Sequence, residues 1–145
     1  MRVTKRTLLV GAGGVLIASP AAFIALDAEV AIYDGRVGES REFAREAAAA
    51  GARLLDIADA EETGWRIVRN GVRGSIIGLT RWSDWTILRG ALEAQGRRVR
   101  RELRLDYRPN APAASNLLQL VAGGGPTRVV ARGAREATLF AWRIS

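Results

Sequence analysis

Residues 7–26 read T-L-L-V-G-A-G-G-V-L-I-A-S-P-A-A-F-I-A-L, twenty positions without a charge. Arg2, Lys5 and Arg6 stand before the run, and Asp27 and Glu29 follow it. At the helical rise, twenty residues reach about 30 Å, the thickness of a hydrocarbon core. Basic residues before the run and acidic ones after it also match an anchor whose N-terminus stays in the cytoplasm. On this reading residues 1–28 are a signal peptide or membrane anchor built on an apolar helix. A single α/β domain then fills residues 29–145. Small residues around Ser19–Ala21 and before Ala28 offer cleavage points.

A second reading of the same stretch is the first strand, glycine turn and helix of a dinucleotide-binding fold. Gly11 and Gly13 begin a G-x-G-x-x-G pattern, and Asp34 lies about twenty residues on, where a ribose-binding carboxylate belongs. Leu16 occupies the third glycine position, however, and Pro20 falls inside the required helix. A proline there costs about 3 kcal/mol. That helix would also be apolar on every side, whereas one packed on a sheet keeps a polar stripe. The sequence therefore favours the signal or anchor.

The residues just before the run, T-K-R-T-L-L at 4–9, carry a family resemblance. Together with the mildly apolar, glycine-rich run, they resemble the leaders of small bacterial proteins exported by twin-arginine translocation, with Lys5 in place of the first arginine. The resemblance covers residues 4–28. It implies a compartment, the periplasm or the periplasmic face of the inner membrane, and no reaction.

Composition removes whole classes of chemistry. The chain has no Cys and no His. Disulfides, thiolate nucleophiles, Ser-His-Asp triads and nearly all zinc sites are thereby excluded, and no metal site is expected. No cofactor is indicated. Net charge is +7, with one Lys among 22 basic residues. So strong an arginine bias points to coding preference and solubility rather than to nucleic acid. The arginine-rich segment 97–108 is interrupted by Glu102 and Asp106, which work against a phosphate track.

Beyond Glu29 the hydrophobic pattern becomes regular. Apolar runs at 30–33, 52–57 and 75–79 predict strands, the first and third buried on both faces. Helical periodicity predicts helices at 40–50, 61–70 and about 84–95, stopped by Gly51, Gly71 and Gly96, with Ser83 as the cap of the third. Residues 99–107 alternate apolar and charged, as a strand with one wet face does. A short helix near 114–121, a glycine turn at 123–126 and two strands at 127–131 and 137–144 complete the chain. The order β-α-β-α-β-α-β predicts a small three-layer parallel sheet of flavodoxin-like or Rossmann-like order, extended by a C-terminal hairpin.

Such sheets bind ligands beyond the carboxyl ends of their strands, at the switch point where successive helices go to opposite faces. With strand order 2-1-3-4, that point lies between the first and third strands. The segments there carry Asp34, Arg36, Ser40 and Arg41 on one side and Thr80, Arg81, Ser83 and Asp84 on the other. Each segment leads into a helix N-terminus, where free N–H groups and the helix dipole favour anions. Arg36, Arg41 and Arg81 supply planar donors suited to a carboxylate or phosphate. The resulting expectation is an exported or anchored domain that binds a small anionic ligand, or an accessory subunit with a protein partner in the cell envelope. The alternatives are a small enzyme using Asp34 with the Ser, Thr and Arg groups, or a cytoplasmic dinucleotide binder.

Overall fold

A computed structural model describes residues 27–59, 62–105, 118, 121 and 138–145. The expected apolar helix over 7–26, the glycine turn at 123–126 and the strand at 127–131 lie outside the described residues.

The fold is mixed α/β. In chain order, β1 (Ala28–Tyr33) leads to α1 (Gly38–Ala49), β2 (Arg53–Asp56) to α2 (Glu62–Asn70), and β3 (Ser75–Arg81) to α3 (Trp82–Glu93). Two further strands follow, β4 (Val99–Leu105) and β5 (Leu139–Ile144). Gly51 and Gly96, just past the ends of α1 and α3, have φ of +95° and +82°. These are the left-handed helix stops that glycine supplies without strain.

The five described strands form one sheet in the order β2-β1-β3-β5-β4. β1 pairs in parallel with β2 on one side and β3 on the other, as expected from its unbroken apolar character. The expected order 2-1-3-4, with the fourth strand parallel and beside the third, is corrected at the other side. β5 is antiparallel to both of its neighbours and lies between β3 and β4, so β4 does not adjoin β3. The physical reason is burial. L-F-A-W-R-I is apolar at five of six positions and buried at the same five, which suits a central strand. Its exception, Arg143, reaches Asp27 and the Ser75 hydroxyl, each at 3.2 Å. β4 alternates between wet and buried positions and takes the edge among the described strands.

Side chains alternate across the strands, so the sheet feeds two hydrophobic clusters. One joins Ala31, Ile77, Leu79 and Leu105 to Phe43 and Ala47 of α1, together with the helical residues Leu118 and Val121. The other joins Val30, Ile32, Ile76 and Ile144 to Val68 of α2 and to Trp85, Leu88 and Leu92 of α3. α1 and α2 thus contribute to different clusters, and the chain changes direction in the sheet between β1 and β3.

The second cluster centres on two tryptophans. Trp85 and Trp142 stack with ring centroids 4.4 Å apart and planes 17° from parallel. Trp142 donates its indole N–H to the Thr80 hydroxyl at 3.0 Å, and Trp85 donates to Glu102 at 3.0 Å. Room for the Trp142 ring comes from Gly78, its partner in the β3–β5 register. A Cβ at residue 78 would lie 2.2 Å from Trp142 Cζ2.

Candidate functional site

β1 ends at Tyr33, and the next residue, Asp34, is fully buried. A charged carboxylate tolerates burial only when its oxygens are paired. Arg36, two residues on, provides most of that pairing. Its backbone N–H and its Nε donate to Asp34 Oδ1 at 3.0 and 2.8 Å, and its Nη2 donates to Oδ2 at 3.0 Å. Arg81, at the end of β3, brings Nε to 3.2 Å from Oδ2. One buried carboxylate therefore collects guanidinium groups from both sides of the β1–β3 junction. Burial pushes the Asp34 carboxyl up, but the hydrogen bonds from Arg36 and the charges of Arg36 and Arg81 outweigh it and hold the group below its usual range.

Asp84, in the first turn of α3, stands opposite. Arg36 Nη2 reaches its Oδ2 at 3.7 Å, an ion pair without a hydrogen bond. Burial first, and then the nearby Asp34 charge, push the Asp84 carboxyl up against the pull of Arg36 and Arg81. Two buried atoms in this cluster lack any hydrogen-bond partner, the donor Arg81 Nε and the acceptor Asp84 Oδ2.

The gap expected between a strand ending at 79 and a helix starting near 84 does not exist. β3 runs through Arg81 and α3 begins at Trp82, so strand and helix join directly. Ser83 consequently sits exposed in the first turn instead of capping the helix. The N-cap is Arg81, whose side chain makes no capping bond, and the N-cap of α1, Val37, has none either. Both helices therefore begin without a side-chain acceptor for their first N–H groups.

Of the eight residues singled out from the sequence, Asp34, Arg36, Arg81 and Asp84 are brought together. Ser40 and Thr80 are buried and internal. The Ser40 hydroxyl accepts from the Asp34 N–H at 2.8 Å and donates to the Leu79 carbonyl, tying β1 to β3, while Thr80 serves Trp142. Arg41 does not join the other arginines on Asp34. It is exposed and donates to the Gly35 carbonyl at 2.7 Å, bracing the turn from its own helix.

Asp56, at the end of β2, takes a part that its local periodicity does not announce. It accepts from the N–H groups of Gly35 and Ala58, both at 2.9 Å, and so fixes the turn that presents Arg36. A carboxylate at a strand's carboxyl end was the available signal. A Cβ on residue 35 would sit 2.0 Å from Asp56 Oδ2. Gly35→Ala is therefore expected to lower stability by about 1–3 kcal/mol through overpacking, read as a shift in the urea midpoint. Among the described residues, no group of three or more acidic side chains could hold a metal ion, and no helix is long and apolar enough to cross a membrane.

No protein-family model matches the chain, and no curated protein or solved structure matches it.

Proposed function

We propose that this chain is a small anion-binding domain on a doubly wound, three-layer frame, carried outside the cytoplasm by its N-terminal segment. The observation that carries the reading is the meeting of four positive features at the β1–β3 junction. Two helix N-termini without side-chain caps adjoin two guanidinium groups that a single buried carboxylate holds in place. Arg81 Nε, paired in charge with Asp34 but without a hydrogen bond, further favours a bound molecule that offers an acceptor. Candidate ligands are small carboxylates and phosphates. The leader-like residues 4–28 support a periplasmic or membrane-anchored location.

An enzyme built on Asp34 is less well supported. Both of its oxygens are engaged and its proton affinity is lowered, the reverse of what a general base near neutral pH requires. The same engagement leaves it unsuited to a ribose hydroxyl. An accessory-subunit role would use a different surface, the α2–α3 face, and does not compete for this crevice.

Calorimetric titration of the full chain in mild detergent with acetate, malonate and inorganic phosphate tests the reading. Arg81→Ala is expected to weaken binding about tenfold, since one charge-assisted hydrogen bond contributes about 1.5–3 kcal/mol. Asp84→Asn is expected to tighten it by removing the one carboxylate that faces the anion unsatisfied. By the same logic, wild-type affinity should rise as pH falls toward the raised Asp84 value. Equal affinities in wild type and Arg81→Ala, or no heat with any probe, would overturn the reading.

A further inference from the structure

The face of the molecule carrying α2 and α3 holds an apolar groove unrelated to the anion crevice. Trp65 and Val68 of α2 and Ile87, Leu88 and Leu92 of α3 line a cavity of about 210 Å³, and Arg69 stands at its α2 wall. Ile87 is 71% exposed, the most exposed large hydrophobic residue among those described. We infer that this groove docks an amphipathic helix of a partner protein, one presenting apolar side chains with an acidic residue beside them. The inference rests on the accessory-subunit reading and not on the anion crevice.

Size argues for a protein side chain. Small-molecule pockets run to about 300–1,000 Å³, so this cavity suits one or two inserted knobs from a third helix laid along the groove. Charge argues for an acidic partner. Arg69 makes only a 3.4 Å bond to the Trp65 carbonyl, and Arg66, one turn earlier, is exposed. Across the groove Arg89 is already neutralised by Glu93 and Glu102. Among the described side chains at the groove, the positive charge without a carboxylate partner is therefore on the α2 wall. A second copy of this chain fits poorly, because the carboxylates on the α3 side, Glu93 and Glu102, are already engaged by Arg89 and do not offset the repulsion between two basic faces. The chain's net charge of +7 adds to that repulsion. A bilayer is flat and would leave the cavity unfilled.

The test places a photo-cross-linking amino acid at position 87 of the full chain, and separately at exposed position 45 on α1, in the cells that produce the protein. The adducts are then mapped by mass spectrometry. Position 87 is expected to capture one partner segment with apolar residues at helical spacing and a Glu or Asp within a turn of them. Arg69→Glu should cut that yield about tenfold, while Arg69→Lys should retain most of it. Arg69 is exposed, so both variants should keep the wild-type melting temperature. Adducts with a second copy of the chain or with lipid would overturn the inference. So would an adduct of the expected kind that Arg69→Glu leaves unchanged. Capture at position 45 alone would move the partner off the groove while leaving an accessory role intact. No adduct at either position would remove both.

Discussion

Trp142→Ala is expected to cost about 3–5 kcal/mol, the range for removing a fully buried large aromatic side chain. Against a total of about 5–15 kcal/mol, that is a large share. Trp142 is 0% exposed, stacks on Trp85 and donates its N–H to a buried hydroxyl. Truncation therefore loses apolar burial and a ring contact, and it leaves the Thr80 oxygen without its donor. Gly78→Ala is expected to destabilise by about 1–3 kcal/mol for the opposite reason, overpacking, because the new methyl would meet the indole at 2.2 Å. The two effects should not add. In the Trp142→Ala background the collision partner is gone, and the methyl at residue 78 would fill part of the vacated space. Gly78→Ala should then be neutral or mildly stabilising. Urea unfolding of the four proteins gives the coupling energy directly. Additive single-site costs would mean that Gly78 is required for its backbone and not for the indole.

This pair also shows where the sequence is legible and where it is not. The apolar runs at 30–33 and 75–79 carry enough pattern to place β1 and β3 as buried parallel neighbours, and the pairing agrees. The alternation at 99–105 correctly signals a half-wet strand. What the pattern lacks is long-range order. Nothing local says that residues 139–144 enter the sheet beside β3, although their continuous apolarity is that of an interior strand. The single Gly78 within S-I-I-G-L gains its meaning only opposite Trp142. The strand–helix junction is hidden from local pattern for a related reason. Thr80 and Ser83 resemble loop and cap residues, but Thr80 is held inside the strand by the indole bond, and the helix starts before Ser83. At the crevice, residue types and position along the fold identified Asp34, Arg36, Arg81 and Asp84. They did not reveal that Asp34 would claim the inner edges of both arginines. Arg41 illustrates the limit, since its preference for the Gly35 carbonyl depends on turn geometry that no periodicity encodes.

The second large effect is expected at that carboxylate, and it separates two views of the crevice. Arg36→Ala should cost about 3 kcal/mol, because breaking a buried pair by removing one partner costs about 3–5 kcal/mol and Arg81 still offers partial compensation. Asp34→Asn should cost less, since the guanidinium groups it releases are 52% and 40% exposed and can be hydrated. Acid titration provides a check on the sign. Asp34 has a depressed value in the folded state, so its contribution is fully present above its ordinary value of 3.8. That contribution fades as pH falls through the lower folded value. Wild type should therefore lose stability more steeply than Asp34→Asn below about pH 4. Binding then discriminates between the two views. If Asp34 acts only as a negative charge near an anion, Asp34→Asn should tighten binding of malonate or phosphate. If it acts by holding Arg36 and Arg81 in one orientation, the same change should weaken binding about tenfold despite the more positive site, because flexible guanidinium groups must be ordered at each binding event. Three hydrogen bonds from Arg36 and a fully buried carboxylate favour the second outcome. Tighter binding in Asp34→Asn would mean that the arginines need no help from Asp34, and that its burial serves the fold alone.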